Sequence, residues 1–172
     1  MKINELNLLI KDKQFLDKKI KFYESKKIIK KQEPNIFEIK GHIEKVNHNL
    51  QFVNDNLEKG YNDWCITGCY YSMYHSALAL ALSKSYVSKN HDATLCILIK
   101  EFYNKGISEK DLELFNSLFI SYVDLIVYVE AKNKREEATY STRYDFTNET
   151  VEELRNKAVQ FVNKAKEILR EK

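Results

Sequence analysis

Three stretches of this sequence repeat apolar residues at alternating steps of three and four, and that spacing constrains the fold more than any other feature. Ile36, Ile39, Ile43, Val46, Leu50, Val53 and Leu57 form the first set. Leu112, Phe115, Phe119, Tyr122, Ile126 and Val129 form the second, and Val151, Leu154, Ala158, Phe161, Ala165 and Ile168 the third. Such steps lay each set along one helix face, as the seam of an antiparallel bundle requires. No stretch alternates with period two for long enough to demand a strand. One Pro and four Gly in 172 residues leave little material for a turn-rich β fold. The reading is all-α, with six helices and no sheet.

The punctuation between the stripes sets the boundaries. Pro34 separates a first helix of about residues 3–32 from the one beginning near Ile36. Gly60 and Gly106 stand where left-handed C-terminal caps are expected. Asn62 or Asp63 is placed to cap a helix running to about Ser85, and Asn90 a short one of about 91–104. Ser108 with Asp111 has the form of a capping box for a helix of about 108–132. Thr147 caps the last helix, whose first turns carry Glu149, Glu152 and Glu153, the sign that suits the helix dipole.

Charge divides the chain at the same proline. The net charge of +3 is too even to name a polyanionic partner for the whole protein. Residues 1–33, however, hold ten Lys against five acids, a net +5 that leaves −2 for the remainder. The expected organisation is a basic N-terminal helix over 1–33 and a helical bundle domain over 34–172. The basic helix reads either as an arm that touches nucleic acid or an acidic protein, or as a solvated amphipathic helix. In the second case Leu6, Leu9, Leu16, Ile20 and Tyr23 pack on the bundle or on a second subunit. Of the two, the packed amphipathic helix is preferred, because Lys without interleaved Arg is a weak nucleic-acid signature.

Trp64–Ser83 is twenty residues long without Asp, Glu, Lys or Arg, yet its Tyr, Ser, Thr and His content is too polar for a bilayer centre. It reads as a buried core helix, and with no signal-peptide pattern the expected location is cytoplasmic. Three Cys without a CxxC pair fit a reducing compartment. No metal site is expected: Cys65 and Cys69 lie four apart, but His75 follows six later, off their face. His42 and His48, six apart, point to different sides of their helix. No cofactor is implied either, since every Gly is isolated and no phosphate-binding loop exists. What remains is the helix Asp63–Ser85, where Tyr71 and His75 lie one turn apart, and the loop Lys132–Phe146. Tyr70 and Tyr74 form a second such pair. These aromatics read either as core with hydrogen-bonded polar tips or as a ligand-binding face.

Gly60-Tyr-Asn-Asp-Trp-Cys-Ile-Thr-Gly-Cys-Tyr-Tyr-Ser-Met-Tyr-His-Ser-Ala-Leu-Ala-Leu resembles the second core helix of the HEPN family. Lys89-Asn-His-Asp resembles that family's opening of the next helix, and Arg135-Glu-Glu-Ala-Thr-Tyr140 its segment ahead of the final helix. The resemblance covers about residues 40–170. It implies an antiparallel bundle of about five helices, here with an extra Lys-rich helix, and a two-fold homodimer. It also implies pairing with a nucleotidyltransferase partner in a toxin–antitoxin-like couple. Some members are metal-independent ribonucleases that use Arg, four to six residues, then His; others bind nucleotides or RNA. In this chain Tyr140 stands where that His would fall, and no Arg is followed closely by His anywhere in the sequence. A non-catalytic nucleotide-, RNA- or partner-binding protein is therefore expected, with Tyr71, His75, His91, Arg135 and Tyr140 lining its site. The alternative is a ribonuclease with a non-standard pair such as Arg135 with His75 or His91, one binding phosphate and the other moving protons.

Overall fold

In a computed structural model the backbone is described for residues 1–134 and 147–170, and side chains for 1–123 and 147–170. The described residues form seven helices and one two-stranded ribbon. In chain order these are α1 (Ile3–Lys11), α2 (Lys13–Ser25), β1 (Ile29–Lys31), α3 (Ile36–Leu57) and α4 (Asn62–Ser83). There follow β2 (Tyr86–Ser88), α5 (His91–Phe102), α6 (Glu109–Lys134) and α7 (Asn148–Arg170). The all-α reading holds, with two corrections. The single first helix is two, and a sheet exists where none was expected.

Both corrections lie in the basic segment. Asp12 leaves the helical region (φ −115°, ψ 99°) and its carboxylate accepts the Phe15 amide, so it caps α2 instead of continuing α1. A short acceptor side chain competing for backbone donors breaks a helix at a point where periodicity runs straight through. α2 then stops at Lys27, which takes a left-handed conformation (φ 57°) while the Ile28 amide returns to the Tyr23 carbonyl. That turn aims β1 at β2, and the two pair antiparallel with Ile29 opposite Ser88 and Lys31 opposite Tyr86. The Lys31 ammonium sits 3.2 Å from the centre of the Tyr86 ring.

The caps elsewhere follow the sequence. Asn90 accepts the Ala93 amide, and Ser108 and Asp111 exchange backbone and side-chain bonds as a capping box. Thr147 accepts the Thr150 amide, and Gly60 and Gly106 take positive φ beyond α3 and α5. At the start of α4 neither Asn62 nor Asp63 caps: the N-cap is Tyr61, with no side-chain bond, and Asn62 instead donates to Asn148 of α7.

α4 is the central element, packed by α3, α5, α6 and α7. Beyond Asp63 in its first turn it carries no charged residue, and most of its side chains from Cys65 onward are buried against these helices. The five apolar residues singled out on the N-terminal segment, Leu6, Leu9, Leu16, Ile20 and Tyr23, are all buried in the same core as Met73, Leu80, Phe115 and Phe161. α3 is the outermost long helix. Only Val46 and Val53 of its stripe are fully buried, while Ile36 and the neighbouring Phe37 stay open.

Gly68 is where α3 and α4 approach most closely. A Cβ built there would lie 2.6 Å from Val53 Cγ2, itself buried, and 3.4 Å from the Asn49 carbonyl oxygen. Gly68→Ala should therefore cost up to about 2 kcal/mol net: overpacking of ~1–3 kcal/mol is offset by only the ~1 kcal/mol that Ala gains in helix propensity. Gly41, on the same α3 but with nothing within 4 Å of its would-be Cβ, should instead be stabilised by Ala, by about 0.5–1 kcal/mol. Urea midpoints of the two variants would check the opposite signs.

Candidate functional site

α4 presents a short polar strip between α3 and α6. Tyr71 and His75, half-buried and one turn apart on α4, each bond to a different neighbour. The Tyr71 hydroxyl lies 2.7 Å from the Tyr122 hydroxyl of α6. The His75 Nδ1 lies 3.0 Å from the Nδ1 of His42 on α3. In the first pair either phenol serves as donor. In the second one imidazole donates and the other accepts, so at least one ring is neutral while the bond holds.

Burial sets the electrostatics of this strip. It lowers the His75 pKa to about 4, with the neighbouring His42 and Lys45 pushing the same way. The His42 pKa is lowered too, by burial first and by Lys45, against an upward pull from Glu38. Burial and the bond to Tyr71 push Tyr122 up to about 12. His75, His42 and Tyr122 are therefore held in their uncharged forms at neutral pH. The strip offers hydrogen bonds and aromatic faces, with no charge of its own.

Behind it lies a stack of rings. Tyr70, almost fully buried, stacks on Tyr122 at 4.6 Å and on Tyr74 at 5.7 Å. His91 is 3 % exposed and lies flat against Phe115 and Phe119, with ring centres 4.3 and 4.0 Å away. Neither of its nitrogens has a hydrogen-bond partner among the described residues. Burial, with the nearby N-terminal ammonium, lowers its pKa to about 3. His91 thus sits behind the ring stack, away from the Tyr71–His75 strip in exposure. Arg135 and Tyr140, also expected at the site, lie outside the described residues.

His42 and Tyr122 were not singled out from sequence. His42 falls three residues after Ile39 and four before Val46, on the stripe that faces α4, and Tyr122 belongs to the second stripe itself. Their stripe positions were the available signal. Cys65, Cys69 and Cys96 are buried free thiols, and burial pushes the latter two up to about 12, which marks them as packing groups rather than thiolate ligands. Among the described residues no three His, Cys, Asp or Glu side chains converge as a metal site, and no helix is long and apolar enough to cross a membrane.

The model of the HEPN domain family matches residues 39–169, which run from α3 through α4, α5 and α6 to α7. The chain belongs to the HEPN family. It is 32% identical over 127 residues to the protein named "Putative toxin MJ0142" of Methanocaldococcus jannaschii, an alignment covering 74% of this chain and 78% of that one.

Three predictions test the site's physics. Because His42, His75 and His91 have folded pKa values below the ordinary ~6.5, the unfolded chain takes up protons first as pH falls. Their contribution to stability is complete above about pH 6.5 and is lost as pH drops toward about 4 for His75 and about 3 for His91. Urea midpoints should fall steadily from pH 7 to pH 4; a flat profile would contradict the burial of these rings. His91→Phe should raise stability by about 1 kcal/mol, since it removes two unbonded buried nitrogens and keeps the ring stack, and it should flatten the lower part of the profile. Tyr71→Phe should cost about 1 kcal/mol by stripping Tyr122 of its partner.

Proposed function

We propose that this chain is a cytoplasmic, homodimeric HEPN-type binding module, the toxin-side member of a toxin–antitoxin-like pair with a nucleotidyltransferase partner. In this reading it engages a nucleotide or RNA without cleaving it. Residues 34–172 form the binding domain and residues 1–33 an appended basic segment. The observation that carries the reading is the uncharged strip of Tyr71, His75, His42 and Tyr122, two phenols and two imidazoles within hydrogen-bond distance in pairs. Phenol faces suit a base, and imidazole tips suit its polar edge. We assign the charge such a ligand needs to Arg135, whose fork of donors matches phosphate, and a further ring to Tyr140. The printed name of the archaeal relative supports the toxin side of the pair.

Absence of catalysis rests on basicity. An imidazole whose pKa is about 4 is a weak proton acceptor, and His75 is already bonded to His42. A phenol in place of the histidine that follows Arg in active relatives is a poor base at neutral pH. The dimer reading is supported by large apolar side chains left open on α3 and at the start of α4: Phe37 is 80% and Trp64 64% exposed, and Ile36, Phe52 and Tyr61 are exposed too.

Light scattering at micromolar concentration should give about twice 20.4 kDa; a strict monomer would refute the dimer. A fluorescent ATP analogue and a short labelled RNA should bind, with Arg135→Ala weakening binding about tenfold or more and leaving the melting temperature nearly unchanged. Rapid, Arg135-dependent cleavage of a structured RNA in EDTA would overturn the non-catalytic reading in favour of a ribonuclease.

A further inference from the structure

The sequence match to the HEPN family begins at residue 39, so α1, α2 and β1 are additions whose role the family does not supply. Their apolar sides are spent on the core: Leu16, Ile20 and Tyr23 of α2 and Ile29 of β1 are buried. Their outward side is basic. From Lys13 to Lys31 there are eight Lys against Asp17 and Glu24. Lys19 is held by Glu5 at 2.6 Å, and Lys31 lies on the Tyr86 ring. Lys18, Lys21, Lys26, Lys27 and Lys30 are all exposed, and among the described residues none of their ammonium groups makes an ion pair or hydrogen bond.

A flat apolar group sits in the middle of these charges. Lys18, Phe22 and Lys26 are spaced four apart, and the Lys26 amide still bonds to the Phe22 carbonyl, so the helical turn carries through. Each step rises ~6 Å along one strip. Phe22 is 51% exposed, an aromatic ring with an ammonium one turn before it and another one turn after. Asp17 and Glu24 lie seven apart with Lys21 between them, one turn from each, and Asp17 also acts on Lys100 of α5.

We propose that the outward face of α2 and β1 is a binding surface for single-stranded RNA, with Lys18, Lys21, Lys26, Lys27 and Lys30 on the phosphates and Phe22 stacked on a base. The reading is independent of the α4 strip. Lysines are point charges without the fixed fork of Arg, so they suit a backbone of varying sequence, and every base offers a face to one exposed ring. A membrane surface fits less well, because an interfacial helix needs its apolar face free and that of α2 is already buried in the core. An acidic peptide would give the lysines partners and leave the exposed ring without one.

The test uses the full chain and a fluorescein-labelled oligouridylate of about 16 nucleotides, read by anisotropy across a salt series. Five phosphate contacts predict a slope of log affinity against log salt near −3.5, or about a hundredfold loss between 50 and 200 mM salt. A Lys18→Gln/Lys21→Gln/Lys26→Gln variant should lose about two units of that slope, and Phe22→Ala should weaken binding about fivefold or more at every salt concentration. All four side chains are exposed, so melting temperatures should stay within a few degrees of the parent; circular dichroism checks this before binding is compared. The triple variant should bind the fluorescent ATP analogue as the parent does, which reads the α4 strip separately. Three results would each overturn the proposal. One is an unchanged slope in the triple variant, and a second is polyglutamate competing as well as RNA of equal charge. The third is binding to phosphatidylserine vesicles in preference to RNA.

Discussion

The close crossing of α3 over α4 at Gly68 is the contact on which the rest of the molecule depends. With no side chain at that point, Val53 and the Asn49 backbone come right up to α4, and the two long helices lie near enough for His42 to reach His75. α7 closes the other side through the fully buried Val151, Ala158, Phe161 and Ala165. It is tied to α3 by Arg155 on Asn54 and Lys166 on Asn47, and to the start of α6 by Lys164 on Asp111. That last bond does two jobs. Burial raises the Asp111 pKa, but bonds from Lys164 and Ser108 outweigh it and hold the carboxyl below its ordinary value, so the capping box stays ionised as well as bonded.

α4 tolerates its central place in part because its serine and threonine hydroxyls bond within the helix. Ser72 and Ser76 donate to the carbonyls of Gly68 and Ser72 within the helix, and Thr67 does the same toward Asp63. Such back-bonding lets a hydroxyl sit in a core that would otherwise charge a desolvation penalty. A run of twenty uncharged residues is thus neither a membrane span nor a uniformly apolar rod. It is a helix enclosed by four neighbours over most of its length.

Most of this architecture is legible in the sequence because it is written in local terms. The third stripe maps onto the buried face of α7 almost residue for residue, and Asn90, Ser108–Asp111 and Thr147 cap where their spacing says. The N-terminal segment misleads for an equally physical reason. Asp12 breaks the helix without disturbing its periodicity, and α2 stops at Lys27 with neither Gly nor Pro to mark the place. The ribbon it leads into owes its existence to tertiary pairing between residues nearly sixty positions apart, which three-residue strands cannot announce. At the site, Tyr71 and His75 are legible because they share one helix. Their partners are not, because a bond between helices depends on how far one slides along the other, and only the Gly68 contact fixes that slide.

The strip on α4 has a property that follows from its pairing. Each hydroxyl or imidazole is already bonded to its neighbour, and in each pair donor and acceptor roles interchange by turning a hydroxyl or moving a proton between ring nitrogens. Any ligand that meets this strip must exchange those bonds for its own, and the net gain per bond is the small difference between two similar interactions. Hydrogen bonding at such a surface selects shape and edge pattern, and contributes little to affinity. A neutral strip also exerts no pull on an anion at a distance, since steering requires uncharged water to be crossed by a field that only charges supply. In this chain the unpaired positive charge is concentrated elsewhere, on α2 and β1. On the two readings proposed above, attraction belongs to the lysines of α2 and β1 and to Arg135, and discrimination to the strip on α4.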